Sequence, residues 1–238
     1  MNKEFLFIVT YGRSGSTLLM SILNSIPGYR ITGENNMACT SLMEYHHKMI
    51  QAHASNYTCM QNHNTIGPSN PWWNEYNPYT LKKKIRELMA YCIDPKDEHR
   101  VVGFKEIRYP HLLYNWDTPL YTYLDWLYEI TNCRFILLTR NLDDVCRSEW
   151  LAKHYDENKI KFIQFEHAIS DYMYQRLHQH LYHITYEQII EEDLQELFEW
   201  LGEPLDITRI DQILRMPHSF KTTGPIKTKE NNYGRKQD

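Results

Sequence analysis

The chain has 238 residues, 42% of them hydrophobic and 24% charged, which describes an ordinary soluble globular protein of one large domain. Its net charge of -4 argues against a general nucleic-acid surface, which needs a basic face to displace counterions, and leaves room for one local basic pocket. Five cysteines (Cys39, Cys59, Cys92, Cys133 and Cys146), odd in number and without a CxxC pair, fit free thiols in a reducing compartment rather than a disulfide framework.

The opening "MNKEFLFIVTYG" has too short an apolar core for a signal peptide and leads straight into a glycine turn. No apolar run approaches the roughly 20 residues of a membrane span, so a cytoplasmic protein without membrane contact is expected. Phe5 to Thr10 reads as a first buried strand. It runs into Gly12-Arg13-Ser14-Gly15-Ser16-Thr17, and the stripe Leu18, Ile22, Leu23 and Ile26 then predicts a helix from Thr17 to Ile26. A glycine turn between strand and helix aims several backbone N–H groups at one spot. The helix dipole and the hydroxyls of Ser16 and Thr17 add to that field, so a phosphate or sulfate is the natural guest. No Gly-Lys-Ser/Thr closes the loop; Arg13 supplies the positive charge from earlier in it, which makes ATP with Mg²⁺ a poor fit.

Tyr29 to Thr32 reads as a second strand, followed by Glu34 in "YRITGENN". Residues 35–99 break the rhythm with proline, asparagine and aromatics and a basic helix starting near Leu81, which suggests a lid or acceptor-binding insertion within a single domain. Trp72, Trp73 and Tyr76 there either stack on an acceptor or pack the insertion onto the sheet. Val101 to Lys105, Phe135 to Thr139 and Tyr182 to Thr185 read as further strands. Helical patterns cover Leu120 to Ile130, Asp143 to Lys153, Phe165 to His178 and Leu194 to Leu201. Strands alternating with helices predict a parallel sheet wrapped on both faces, with ligands beyond the carboxyl ends of the strands. The basic stretch Ser219 to Asp238, with Lys221, Lys227, Lys229, Arg235 and Lys236, is either a frayed terminus or a flap that orders over an anion.

"TYGRSGSTLL", from Thr10 to Leu19, resembles the 5′-phosphosulfate loop of sulfotransferases that use 3′-phosphoadenosine 5′-phosphosulfate (PAPS). The carbohydrate and tyrosylprotein branches of that family likewise carry arginine where the animal small-molecule branch has lysine. "FILLTRNLDDVCRSEW", residues 135–150, resembles the family's 3′-phosphate site, an Arg-x7-Ser pair that here is Arg140 and Ser148. Two helical turns span about 7.2 residues, so on a helix the two side chains converge. "GFKEIRY" and "ITYEQI" resemble strand ends of the tyrosylprotein type, in which the lysine, here Lys105, assists catalysis and the tyrosine, here Tyr186, contacts the cofactor. "LFEWLGEPLD", residues 197–206, looks like the helix and turn that follow in many members, whereas the tail carries no clear RKGxxG pattern of the animal small-molecule branch.

The resemblance implies a P-loop NTPase-like three-layer α/β/α fold with a central parallel sheet. It also implies PAPS as cofactor with PAP as product, no required metal, and a cofactor site of Gly12, Arg13, Ser14, Gly15, Ser16, Thr17, Arg140, Ser148 and Tyr186. Sulfuryl transfer needs the acceptor proton removed, the acceptor oxygen in line with sulfur, and the leaving phosphate's charge neutralised. Arg13 and Lys105 are the electrostatic pair. Glu34, 21 residues beyond Arg13, resembles the "GEE" glutamate base of the tyrosylprotein branch. His111 is the second choice of base and Glu106 the third; adjacent His46 and His47 point in different directions on a helix and make a poor metal pair. The expected acceptor is a small molecule bearing a hydroxyl or amine, such as a microbial metabolite, and not a nucleic acid. The competing readings are an Mg²⁺-dependent P-loop kinase or nucleotide-binding protein and a noncatalytic anion- or partner-binding domain.

Overall fold

The structure is a computed structural model that describes residues 3–60, 76–115, 119–190 and 193–216. Five strands form one parallel sheet: β1 (Glu4–Val9), β2 (Tyr29–Thr32), β3 (Val101–Glu106), β4 (Arg134–Thr139) and β5 (Leu181–Thr185), in the order β2-β3-β1-β4-β5. Each expected strand stands within one residue of its predicted start. The reason is burial on both faces: Leu6 to Val9 are fully enclosed, as are Phe135, Ile136 and Leu138 in β4, so the pattern is a continuous apolar run rather than an alternation. Gly103 leaves room for its neighbour strand, because a Cβ there would lie 1.6 Å from the Leu6 carbonyl oxygen.

Helices cover both faces, α1 (Ser16–Asn24), α9 (Gln195–Leu201) and α10 (Ile207–Leu214) on one and α2 (Ala38–Met60), α3 (Pro78–Ile93), α5 (Leu120–Thr131) and α7 (Tyr155–Leu177) on the other. Side chains sort accordingly along each strand. Leu6 and Ile8 join Leu19 and Ile22 of α1, while Phe5, Phe7 and Val9 join Met89 of α3, Leu124 of α5 and Phe165 of α7. At the sheet's edge, Asn24 fixes β2 by accepting from the Ile31 N–H (2.6 Å) and donating to the Ile31 carbonyl (2.8 Å).

The short helices α4 (Tyr109–Leu112), α6 (Leu142–Cys146) and α8 (Tyr186–Ile190) follow β3, β4 and β5 at their carboxyl ends. One expected helix is corrected. Asp143 to Lys153 is not continuous: α6 ends at Cys146, Ser148 is extended (φ -85°, ψ 130°), and a 3-10 helix runs from Glu149 to His154. Two local bonds account for this. Asn141 caps the start by accepting from the Asp143 and Asp144 N–H groups, and the Ser148 hydroxyl turns back to donate to the Val145 carbonyl (2.7 Å). Helix α7 begins ten residues earlier than its apolar pattern suggests; the basic helix expected near Leu81 is α3, which starts at Pro78, and α2 adds a long helix within the stretch read as a lid or insertion. Among the described residues no helix is long and apolar enough to cross a membrane.

Candidate active site

β1 is the central strand, with β3 on one side and β4 on the other, so the loop after it emerges where the chain's path across the sheet reverses. The loop is held from below. Thr10 Oγ1 lies 2.7 Å from both the Leu138 carbonyl and Ser14 Oγ, and Thr10 and Ser14 are fully buried. Arg13 adopts φ 67° and Gly15 φ 88°, two left-handed residues that fold the loop back before α1 starts at Ser16. At Gly15 a side chain is excluded twice: by the backbone angle, and because a Cβ would sit 2.2 Å from the Tyr186 ring. The N–H groups of Leu18 and Leu19 bond to the Gly15 carbonyl, and those ahead of them belong to the first turn, which a helix cannot satisfy internally.

Tyr186 links the loop to Arg140. The Arg140 guanidinium lies 4.3 Å over the Tyr186 ring, and its Nη1 donates to the Arg13 carbonyl (3.2 Å). Its Nε is buried without a hydrogen-bond partner. An arginine N–H enclosed this way lacks an acceptor that a bound anion would supply. The Arg140 main chain is fixed separately: the Tyr11 hydroxyl accepts from the Arg140 N–H (3.0 Å) and donates to the Glu166 carboxylate of α7 (2.5 Å). Burial and Glu166 push the Tyr11 hydroxyl well above its usual range, so it stays protonated, and burial also raises Glu166. Ser148 has its hydroxyl engaged with Val145, as described above.

At the ends of β2 and β3 Lys105 Nζ donates to one Glu34 oxygen (2.6 Å), and Arg108 Nη1 donates to the other (3.2 Å). Lys105 is almost enclosed, with 10% of its side chain exposed, while Glu34 keeps 30%, enough to be reached from solvent. Glu106 is fully buried. Its carboxylate accepts from the N–H groups of Ile107 (2.9 Å), Arg108 (3.2 Å) and Met37 (3.2 Å) and from the Arg108 guanidinium (2.8 Å). With its lone pairs taken, Glu106 fixes the turn that presents Arg108 to Glu34.

His111 sits on α4 with its Nδ1 2.9 Å from the Lys161 ammonium of α7, and burial together with Lys161 and Arg108 lowers its pKa. His46 is a core residue whose Nδ1 accepts from the Trp126 indole (3.1 Å). Tyr76 stands against His53 (ring centroids 5.4 Å apart), whereas Trp72, Trp73 and the basic stretch from Ser219 lie outside the described residues. Sequence reasoning missed Tyr11, Arg108, Trp150 and Glu166. Arg108 and Trp150 stand inside quoted motifs, and the exposed Trp150 ring lies 3.1 Å from where a Gly12 Cβ would be. Tyr11 and Glu166 are 155 residues apart, and no local pattern joins them.

A parallel five-stranded sheet between two helical layers, with a glycine loop after its central strand, is a sulfotransferase-like α/β architecture. The chain belongs to the sulfotransferase family, whose sequence model matches residues 6–206, and it is accordingly a transferase. Among solved structures, the sulfotransferase domain from the Synechococcus PCC 7002 olefin synthase superposes with a TM-score of 0.56 at 17% identity, covering 94% of this chain and 82% of that one. Sulfotransferase STF9 from Mycobacterium avium aligns with a TM-score of 0.40 at 12% identity, over 90% of this chain and 67% of that one. No curated protein sequence matches the chain.

Proposed function

We propose that this protein moves the sulfuryl group of PAPS to a hydroxyl or amine of a small-molecule acceptor in the cytoplasm, with Glu34 as the base. The observation that carries the reading is the buried, unpartnered Nε of Arg140, stacked through Tyr186 onto a loop in which any Cβ at Gly15 would collide. Both features fit a ligand with two anionic ends. The residues that would hold the 5′ end are Gly12, Arg13, Ser14, Gly15, Ser16 and Thr17; Arg140, Ser148 and Tyr186 would take the 3′-phosphate.

Bound PAPS supplies the transferable group: the acceptor oxygen–sulfur bond forms as sulfur's bond to the 5′-phosphate oxygen breaks, and that oxygen keeps the electron pair. Glu34 takes the acceptor's proton. Lys105 and Arg108 hold its carboxylate in one orientation, and the proton must arrive at an oxygen now bonded to one of them. Lys105 is therefore released from Glu34 as that group is neutralised, which frees its ammonium to stabilise the leaving charge beside Arg13. Because a sulfuryl group carries less charge than a phosphoryl group, these cations replace a divalent metal. The whole chain acts as one domain, with the described part of residues 35–99 on the acceptor side.

Glu34→Gln is the test. With PAPS and a turned-over acceptor, PAP release should fall by about 10²–10⁴-fold while PAP affinity stays within about twofold. Undiminished turnover would remove Glu34 from the base role.

A further inference from the structure

The turn that carries Glu34 also contributes to the lining of a cavity of about 440 Å³ between α2 and α3. Thr32 and Asn35, on either side of Gly33 and Glu34 in sequence, both line it, and Phe104, next to Lys105, lies across from them. Leu42 of α2 and Met89 of α3 with their neighbours form the rest of the wall, and among the described residues no charged side chain contributes to it. Polar groups are few: Ser41 and Tyr45 line it as exposed residues, and the Glu34 turn adds Thr32 and Asn35. Thr32 Oγ1 donates to the Gly103 carbonyl (3.2 Å), while Asn35 Oδ1 is buried without a partner. The turn itself is fixed: Asn36 and Met37 take left-handed φ angles of 56° and 58°, and the Met37 N–H donates to buried Glu106.

Resting on the sulfuryl-transfer reading, we infer that the acceptor is an uncharged, predominantly hydrocarbon alcohol whose body occupies the α2–α3 cavity and whose hydroxyl reaches the Glu34 turn. The volume is within the range of small-molecule pockets. Its lining selects against other acceptors. A sugar would bury several hydroxyls against a predominantly apolar lining with too few partners for them. A simple alkylamine ionises near the lysine range, so it would arrive as an ammonium with no lone pair for attack, beside Lys105 and Arg108, which already pair with Glu34. An alcohol has one polar group, and the lining offers it the unpartnered Asn35 carbonyl oxygen, one residue along the chain from the base. The products are an alkyl sulfate monoester and PAP, and the alcohol's proton passes to Glu34.

The test uses 1-decanol on the whole protein without PAPS, so it reads the cavity and not the transfer. Cys92 lines the cavity and is exposed, which makes its alkylation by a maleimide a local reporter, followed by peptide mass spectrometry. Saturating decanol should slow Cys92 modification at least threefold, while glucose and decylamine leave it unchanged. The substitution Ala38→Trp, at an exposed residue that lines the cavity, should weaken decanol binding at least tenfold in calorimetry and leave PAP binding intact. An unchanged Cys92 rate, equal protection by glucose or decylamine, or undiminished decanol affinity in Ala38→Trp would overturn the inference. If PAP binds and decanol does not, the acceptor assignment is overturned and sulfuryl transfer stands. If decanol protects Cys92 but PAP does not bind, the cavity is upheld as an alcohol site and sulfuryl transfer falls.

Discussion

Replacing Gly15 by alanine tests whether the loop, Tyr186 and Arg140 form one unit. At φ 88° an L-residue costs about 1–2 kcal/mol. The new Cβ would lie 2.2 Å from Tyr186 Cδ2 and 2.7 Å from Cε2, so the ring must retreat by roughly 1.2 Å to regain ordinary contact at 3.4 Å. Forced overpacking of this kind costs about 1–3 kcal/mol. The sum, about 2–5 kcal/mol, corresponds for a chain of this length to a Tm lower by roughly 5–15 °C. The retreat also moves the ring on which Arg140 rests, so PAP affinity should fall by at least tenfold. Differential scanning calorimetry and isothermal titration of Gly15→Ala read both effects. The double variant Gly15→Ala/Tyr186→Ala should show a coupling of about 1–3 kcal/mol relative to the two single changes, because removing the ring abolishes the clash and leaves the backbone strain. A Gly15→Ala protein that melts within about 1 °C of the parent, well short of the worked range, and binds PAP equally would refute this packing.

Tyr11→Phe removes the hydroxyl that holds the Arg140 main chain to Glu166; unfolding in urea should show a loss of about 1–3 kcal/mol, with PAP affinity reduced more than in a control at an exposed residue such as Tyr174→Phe. Acid should destabilise the protein. Burial lowers the pKa of His46, His111 and His183 below 6.5, so as pH falls below that value the unfolded chain takes up protons that the folded one resists. Tm should therefore decline between pH 7 and 5, and His46→Gln, which keeps an acceptor for the Trp126 indole, should flatten that decline; a Tm independent of pH would contradict it. Replacing Glu106 by glutamine puts an amide in place of a buried carboxylate that accepts from three main-chain N–H groups and Arg108, with an expected loss of about 1–3 kcal/mol in the same urea experiment.

The strands were legible because both faces of this sheet are covered, which writes each one as an uninterrupted apolar run such as Phe5 to Val9. The loop was legible because its chemistry is local: strand, glycine turn and helix follow within twenty residues. What escaped is long-range or polar. Helix α2 carries histidines, serines and threonines along its length, and Cys39 and Met43 are its described apolar residues in the core, so its periodicity is faint. The break at Ser148 depends on one hydroxyl choosing the Val145 carbonyl, a competition that composition does not decide. Lys105 and Glu34 were each picked out by neighbouring residues, yet Arg108, which completes the cluster, reaches Glu34 across 74 positions. The cavity beside them is assembled from four elements and leaves no trace in any single segment.

The most direct measurement is calorimetric titration of PAP into the protein in EDTA. The account predicts one site per chain, heat released without any divalent cation, and binding weakened at least tenfold by Arg140→Ala. A flat titration, or binding that appears only once Mg²⁺ is added, would contradict it.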